Sequence, residues 1–139
     1  MMLHRFQFEA KDLAAMPENE RVLVVVLGHI ANEINVLQRL IMMAHDLDDN
    51  PGPAETQGRT AQTMCLMRLL VGKLYEAYRT IKTHYLDAGL HQQIECHLDK
   101  NTIDALQEFV EYFSEPKNNL NVLRNKISFH NDWSSLGKI

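Results

Sequence analysis

The sequence predicts an all-α protein, an antiparallel four-helix bundle with a short additional helix. Three observations lead there. Apolar residues recur at helical spacing over two long stretches, a third stretch carries a narrow apolar stripe with acids outside it, and clusters of Asp, Asn, Gly and Pro separate them. At 139 residues and 45% apolar content, the chain is long enough for one core and short for two, so residues 1-139 are read as a single domain.

Residues 1-16 form a mixed, charged N-terminal segment, unlike a secretory leader, which needs a continuous apolar run. Pro17-Glu18-Asn19-Glu20 reads as a helix start, with an early proline and acids at the positive end of the dipole. A core helix over roughly 18-47 follows, with Val22, Val26, Ile30, Leu37, Leu40, Ile41 and Ala44 on one broad face. Asp48-Asp49-Asn50-Pro51-Gly52-Pro53 ends it.

The second core helix is expected over roughly 59-87, with Thr63, Leu66, Met67, Leu70, Leu74, Ala77, Tyr78, Ile81 and Tyr85 on one face. Ala88-Gly89 interrupts it, and Leu90, Ile94 and Leu98 at spacings of four suggest the short additional helix. Residues 102-113 carry Ile103, Leu106, Phe109, Val110 and Phe113 as a stripe. Ser114-Glu115-Pro116 then reads as an N-cap followed by an early-turn proline, opening a last helix over 116-131.

A net charge of -4 and a pI near 5.9 argue against a broad nucleic-acid-binding surface, so any RNA contact must be local. Cys65 and Cys96 have no paired spacing that suggests a disulfide framework or zinc site, and a reducing cytoplasm fits them best. The longest apolar run, Val22 to Leu27, is too short to span a membrane. There is no glycine-rich phosphate loop, serine elbow or paired-cysteine motif, which leaves nucleotide hydrolysis and acyl transfer without visible machinery.

Several weaker constellations resolve to structure. Asp46, Asp48 and Asn50 mimic the start of a calcium loop, but Pro51 takes the glycine position and Gln57 the place of the closing glutamate. His91, Glu95 and His97 do not share one helical face and read as a solvated surface. Met42, Met43, Met64 and Met67 read as core filler, and Tyr78 and Tyr85 as packing residues.

The run Arg124-Asn125-Lys126-Ile127-Ser128-Phe129-His130 is the most informative stretch. Arginine neutralises phosphate and histidine moves protons near neutral pH, a minimal toolkit for cleaving RNA without a metal. Spacing alone is uninformative, because seven arginines and seven histidines give about one chance match of the Arg-x(4–6)-His type. Arg39 to His45 and Arg79 to His84 match as well, but their arginines fall on polar helix sides and read as incidental. Arg124 and His130 instead flank an apolar stripe of Leu120, Leu123 and Ile127.

Six residues on an ideal helix correspond to about 120° of rotation and about 9 Å of rise, so one chain would struggle to converge the pair. A two-fold dimer packing this seam on its copy would gather two arginines and two histidines around one cleft. Glu33, with His29 one turn before it, is expected in the middle of the first helix's apolar face. A carboxylate buried there needs a cation, and Arg124 is the most attractive candidate.

Arg124-Asn125 followed by His130 on the last helix of a small bundle resembles the HEPN superfamily, whose signature is Arg-x(4–6)-His, often with asparagine after the arginine. The resemblance implies an endoribonuclease that needs no metal or other cofactor, commonly a toxin or antiviral effector, working as a homodimer and in some cases held by an antitoxin or regulatory protein. It implies His130 as general acid or base at the ribose 2′-hydroxyl and the leaving oxygen, Arg124 as stabiliser of the charged phosphorane, Asn125 as the orienting residue and a 2′,3′-cyclic phosphate product. Glu33 would support the site. The alternative is a non-catalytic helical dimerisation or interaction module with the same polar residues in a structural role.

Overall fold

A computed structural model describes residues 9–45, 52–116 and 118–123, and all of its regular elements are helical. Six α-helices run in the order α1 (Ala10–Ala15), α2 (Glu18–His45), α3 (Pro53–Thr80), α4 (His91–Ile94), α5 (Lys100–Ser114) and α6 (Asn119–Leu123). A π-helical turn, Ile81–Leu86, extends α3, and a 3-10 turn, Glu95–His97, extends α4. The expected all-α bundle is what forms.

Helix α1 lies within the mixed, charged N-terminal segment, and the Glu9 N–H donates to the Asp12 carboxylate at 3.3 Å at its start. Helix α3 begins six positions before the sequence expectation because Gly52-Pro53 starts rather than precedes it. Proline's fixed φ suits the first helical position, where its missing N–H costs nothing. An ion pair between Glu55 and Arg59 then bridges one turn. Helix α5 also starts early, because Asp99 caps it by accepting from the Thr102 N–H at 3.0 Å and the Thr102 hydroxyl at 2.7 Å.

Helices α2 and α3 form the largest contact in the fold. They run antiparallel: Leu23, early in α2, meets Tyr85 just beyond α3, while Glu33 meets Lys73 further back along it. The inward seam of α2 is Leu23, Leu27, Ile30, Ile34, Leu37, Ile41 and Ala44, alternating steps of four and three as in coiled-coil packing, with Leu23, Ile30 and Ala44 buried and the others half-buried. Ile30 is 1% exposed. This corrects the wheel reading by about one position, since Val22, Val26 and Leu40 face outward. The sequence supports two adjacent apolar stripes, and packing selects one.

Two clusters complete the core. Leu23, Tyr85 and Leu90 are packed by Leu27, Ile81, Leu86, Ile94 and Leu106. Val71, Tyr75 and Phe113 are packed by Leu74, Tyr78, Phe109 and Leu120. Phe113 meets Tyr75 edge-on at 4.9 Å and Tyr78 stacked at 5.7 Å, geometries worth roughly 0.5–1.5 kcal/mol each beyond burial. Tyr75 was not on the expected face; it is buried because α3 packs α2 on one side and α5 on another. Met42, Met43, Met64 and Met67 are exposed, not core filler.

The chain leaves the π-turn through Gly89, whose φ of 76° lies in the left-handed region that glycine enters without a Cβ penalty. Its N–H donates to the Leu86 carbonyl at 3.0 Å, and the reversal lets Leu90 fold back into the first cluster. Among the described residues, no helix is long and apolar enough to cross a membrane. Because the seam carries the fold, Ile30→Ala is expected to cost about 2–5 kcal/mol in urea unfolding, whereas Val36→Ala, on the outward face, should cost well under 1 kcal/mol.

Candidate functional site

The structure places Glu33 and leaves Arg124, Asn125 and His130 outside the described residues, together with the 116-131 helix beyond Leu123. Glu33 is not at the centre of the buried seam. It sits at the margin, with its side chain 35% exposed. Its cation is Lys73 of α3, whose Nζ lies 2.7 Å from Glu33 Oε2 and 2.7 Å from Glu76 Oε2, while His29 Nε2 approaches Glu33 at 3.5 Å.

This small network spans the two long helices. The Lys73 ammonium beside Glu33 holds its carboxyl below the usual carboxylate range, against an opposing contribution from partial burial. Glu33 and then Glu76 in turn hold Lys73 above the usual lysine range. The sequence indicated that Glu33 needed a cation. It could not indicate which, because lysine at position 73 faces α2 only once the antiparallel register of α2 and α3 is set.

The entry to the last helix is built differently from the expectation. Ser114 does not cap that helix; it ends α5, donating to the Val110 carbonyl at 2.7 Å and meeting the Tyr78 hydroxyl at 3.1 Å. Pro116 lies in the turn, and α6 starts at Asn119 behind Asn118. Asn118 is 4% exposed and its amide is fully used. Its Oδ1 accepts from the Tyr75 hydroxyl at 3.0 Å and from the Asn121 N–H at 2.6 Å, and its Nδ2 donates to the Tyr112 and Glu115 carbonyls at 3.0 and 2.9 Å.

One amide thus caps α6, closes the α5–α6 turn and ties both to α3. The cap was legible as an asparagine before a helical stretch, but the proline at 116 drew the predicted start forward. The burial of Asn118 depends on Tyr75, 43 positions away, which no local pattern reveals.

A second finding concerns a pair read as incidental. Arg79 and His84 line one open groove of about 550 Å³ with Gly72, Tyr75, Glu76, Thr80 and Thr83. The lining residues recur at steps of three and four along α3 and into the π-turn over Ile81–Leu86, where the Asp87 N–H donates to the Lys82 carbonyl five positions back at 2.9 Å.

The remaining constellations stay structural. Tyr78 packs on Phe113, and the Tyr85 ring is buried beside His91, burial pushing its hydroxyl above the usual tyrosine range. Among the described residues, no group of three His, Cys, Asp or Glu has a metal-holding arrangement. Comparison with family models, curated proteins and solved structures finds no match to this chain.

Asn118→Ala is expected to lower unfolding stability by about 1–3 kcal/mol, through the lost cap and the groups left unpaired, and Tyr75→Phe by about 1 kcal/mol. The double variant should lose less than the sum, because both delete the same bond; additive losses in denaturant titrations would contradict the shared network. For Glu33, a carboxyl depressed in the folded state contributes stability above the ordinary carboxylate range, and that contribution disappears as pH falls through the folded value. Glu33→Gln should therefore destabilise the protein at neutral pH and have a progressively smaller effect on acidification, measured as urea midpoints across pH.

Proposed function

We propose that this protein is an endoribonuclease that cleaves RNA without a metal, through an Arg/His site assembled at a homodimer interface. The observation that carries the reading is the run Arg124-Asn125 to His130, which follows directly on α6, a helix whose start is fixed in the bundle by Asn118 and Leu120. Arg124 stabilises the charge that develops on the phosphorane, His130 transfers the proton at the ribose 2′-hydroxyl or the leaving oxygen, and Asn125 orients them. The net charge of -4 confines any RNA contact to a local site. A toxin or antiviral role, restrained by an antitoxin or regulatory partner, follows from the same resemblance, and the unpaired spacing of Cys65 and Cys96 favours the cytoplasm.

Glu33 enters this reading as a positioning residue at one remove, since the cation beside it is Lys73. It links α2 to α3, the helix that α6 contacts.

A second reading, a non-catalytic dimerisation or interaction module, is favoured by a separate observation. Val22, Val25, Val36, Leu40 and Met43 form an outward stripe on α2, with Met43 70% exposed and Val36 55% exposed. Apolar stripes of this kind mark protein contacts. In that case the Arg/His run would cap and pair within an interface.

The two readings separate in one experiment. Wild type should cut a panel of single-stranded RNAs in the presence of EDTA and leave 2′,3′-cyclic phosphate ends, while His130→Ala abolishes cleavage and remains dimeric by analytical ultracentrifugation. Dimer without any cleavage, with Arg124→Ala mainly lowering stability, would establish the module instead.

A further inference from the structure

The groove beside the π-turn has the composition of an anion site, and it is built by α3 and the turn that extends it. Arg79 presents a planar fork of donors, Thr80 and Thr83 add hydroxyls, and His84 adds a ring N–H. No hydrogen bond or ion pair with another side chain occupies Arg79, Thr80, Thr83 or His84 among the described residues. The π-turn that carries Thr83 and His84 is a rare form that occurs often at functional sites.

Gly72 forms part of the groove wall. A Cβ built there meets nothing within 4 Å, so packing does not demand a glycine. Glycine in a helix interior costs about 1 kcal/mol relative to alanine, and here that cost leaves open space beside Arg79. We propose that this groove binds the terminal phosphate of a small phosphomonoester, gripped by Arg79, Thr80, Thr83 and His84.

The surroundings choose among anions. Four donor groups exceed what a carboxylate's two oxygens use in a bidentate arginine pair, whereas a phosphomonoester offers three terminal oxygens. Glu76 stands inside the groove, and Glu18 lines the adjoining one on the other side of His84. Carboxylates on both sides repel a continuous polyanion, so one phosphate group fits and a nucleic-acid backbone does not.

The test is titration of the full chain with inorganic phosphate, followed by amide and imidazole NMR shifts, with acetate at matched ionic strength and an oligoribonucleotide as parallel arms. Saturable shifts should concentrate at Arg79, Thr80, Thr83 and His84 with phosphate. Arg79→Ala and Gly72→Leu, one removing charge and the other filling space, should each weaken binding about tenfold or more, while Arg39→Ala changes it less than twofold. Thermal unfolding of each variant confirms that the fold persists. The proposal is overturned if phosphate produces no saturable shift, if acetate binds equally well, or if the oligoribonucleotide binds more tightly with the same dependence on Arg79, which would make the groove a nucleic-acid contact.

Discussion

The antiparallel seam between α2 and α3 is the constraint from which the rest of the structure follows. Each helix is 28 residues long, and the alternating four-and-three spacing of Leu23 through Ala44 keeps one stripe of α2 against its partner along that length. Helices packed this way cannot slide by less than a turn without moving apolar side chains out of register. That fixed register brings Lys73 to Glu33 and Tyr85 to Leu23, while α5 packs on another side of α3 through Tyr75 and Phe113.

α3 is therefore the central element. It faces α2 with one side and α5 and α6 with another, which explains why both Ala77 and Tyr75 are buried although about 160° apart on an α-helical wheel. Its π-turn is the point where the regular pattern yields. Within it Tyr85 packs into the core while the exposed His84 lines the groove with Arg79. The Asn118 amide performs a similar double task at the other end of α5, closing a turn while anchoring α6 to α3.

The polar features differ in what they contribute. The Glu33–Lys73–Glu76 network is partly solvated, and ion pairs in that setting contribute modestly to stability; its larger effect is on register and on the charge state of its members. Asn118 is buried with every donor and acceptor used, where losing one partner strands the others. The outward stripe on α2 is the opposite case, apolar surface that the described fold leaves facing solvent.

By itself, the sequence determined the fold class, the place of the long helices to within a few residues, the break at Gly89 and the requirement of Glu33 for a cation. These are consequences of periodicity, backbone freedom and charge, which act over one or two turns. The Arg124–His130 run is legible in the same local way, though it lies outside the described residues. Tertiary structure decided which of two apolar stripes on α2 is buried, that Lys73 and not another cation meets Glu33, that Asn118 caps α6, and that Arg79 and His84 share a groove. Each of those depends on the partner helix or on the winding of the backbone, and side chains brought together by packing carry no signature in the spacing of either strand of sequence alone.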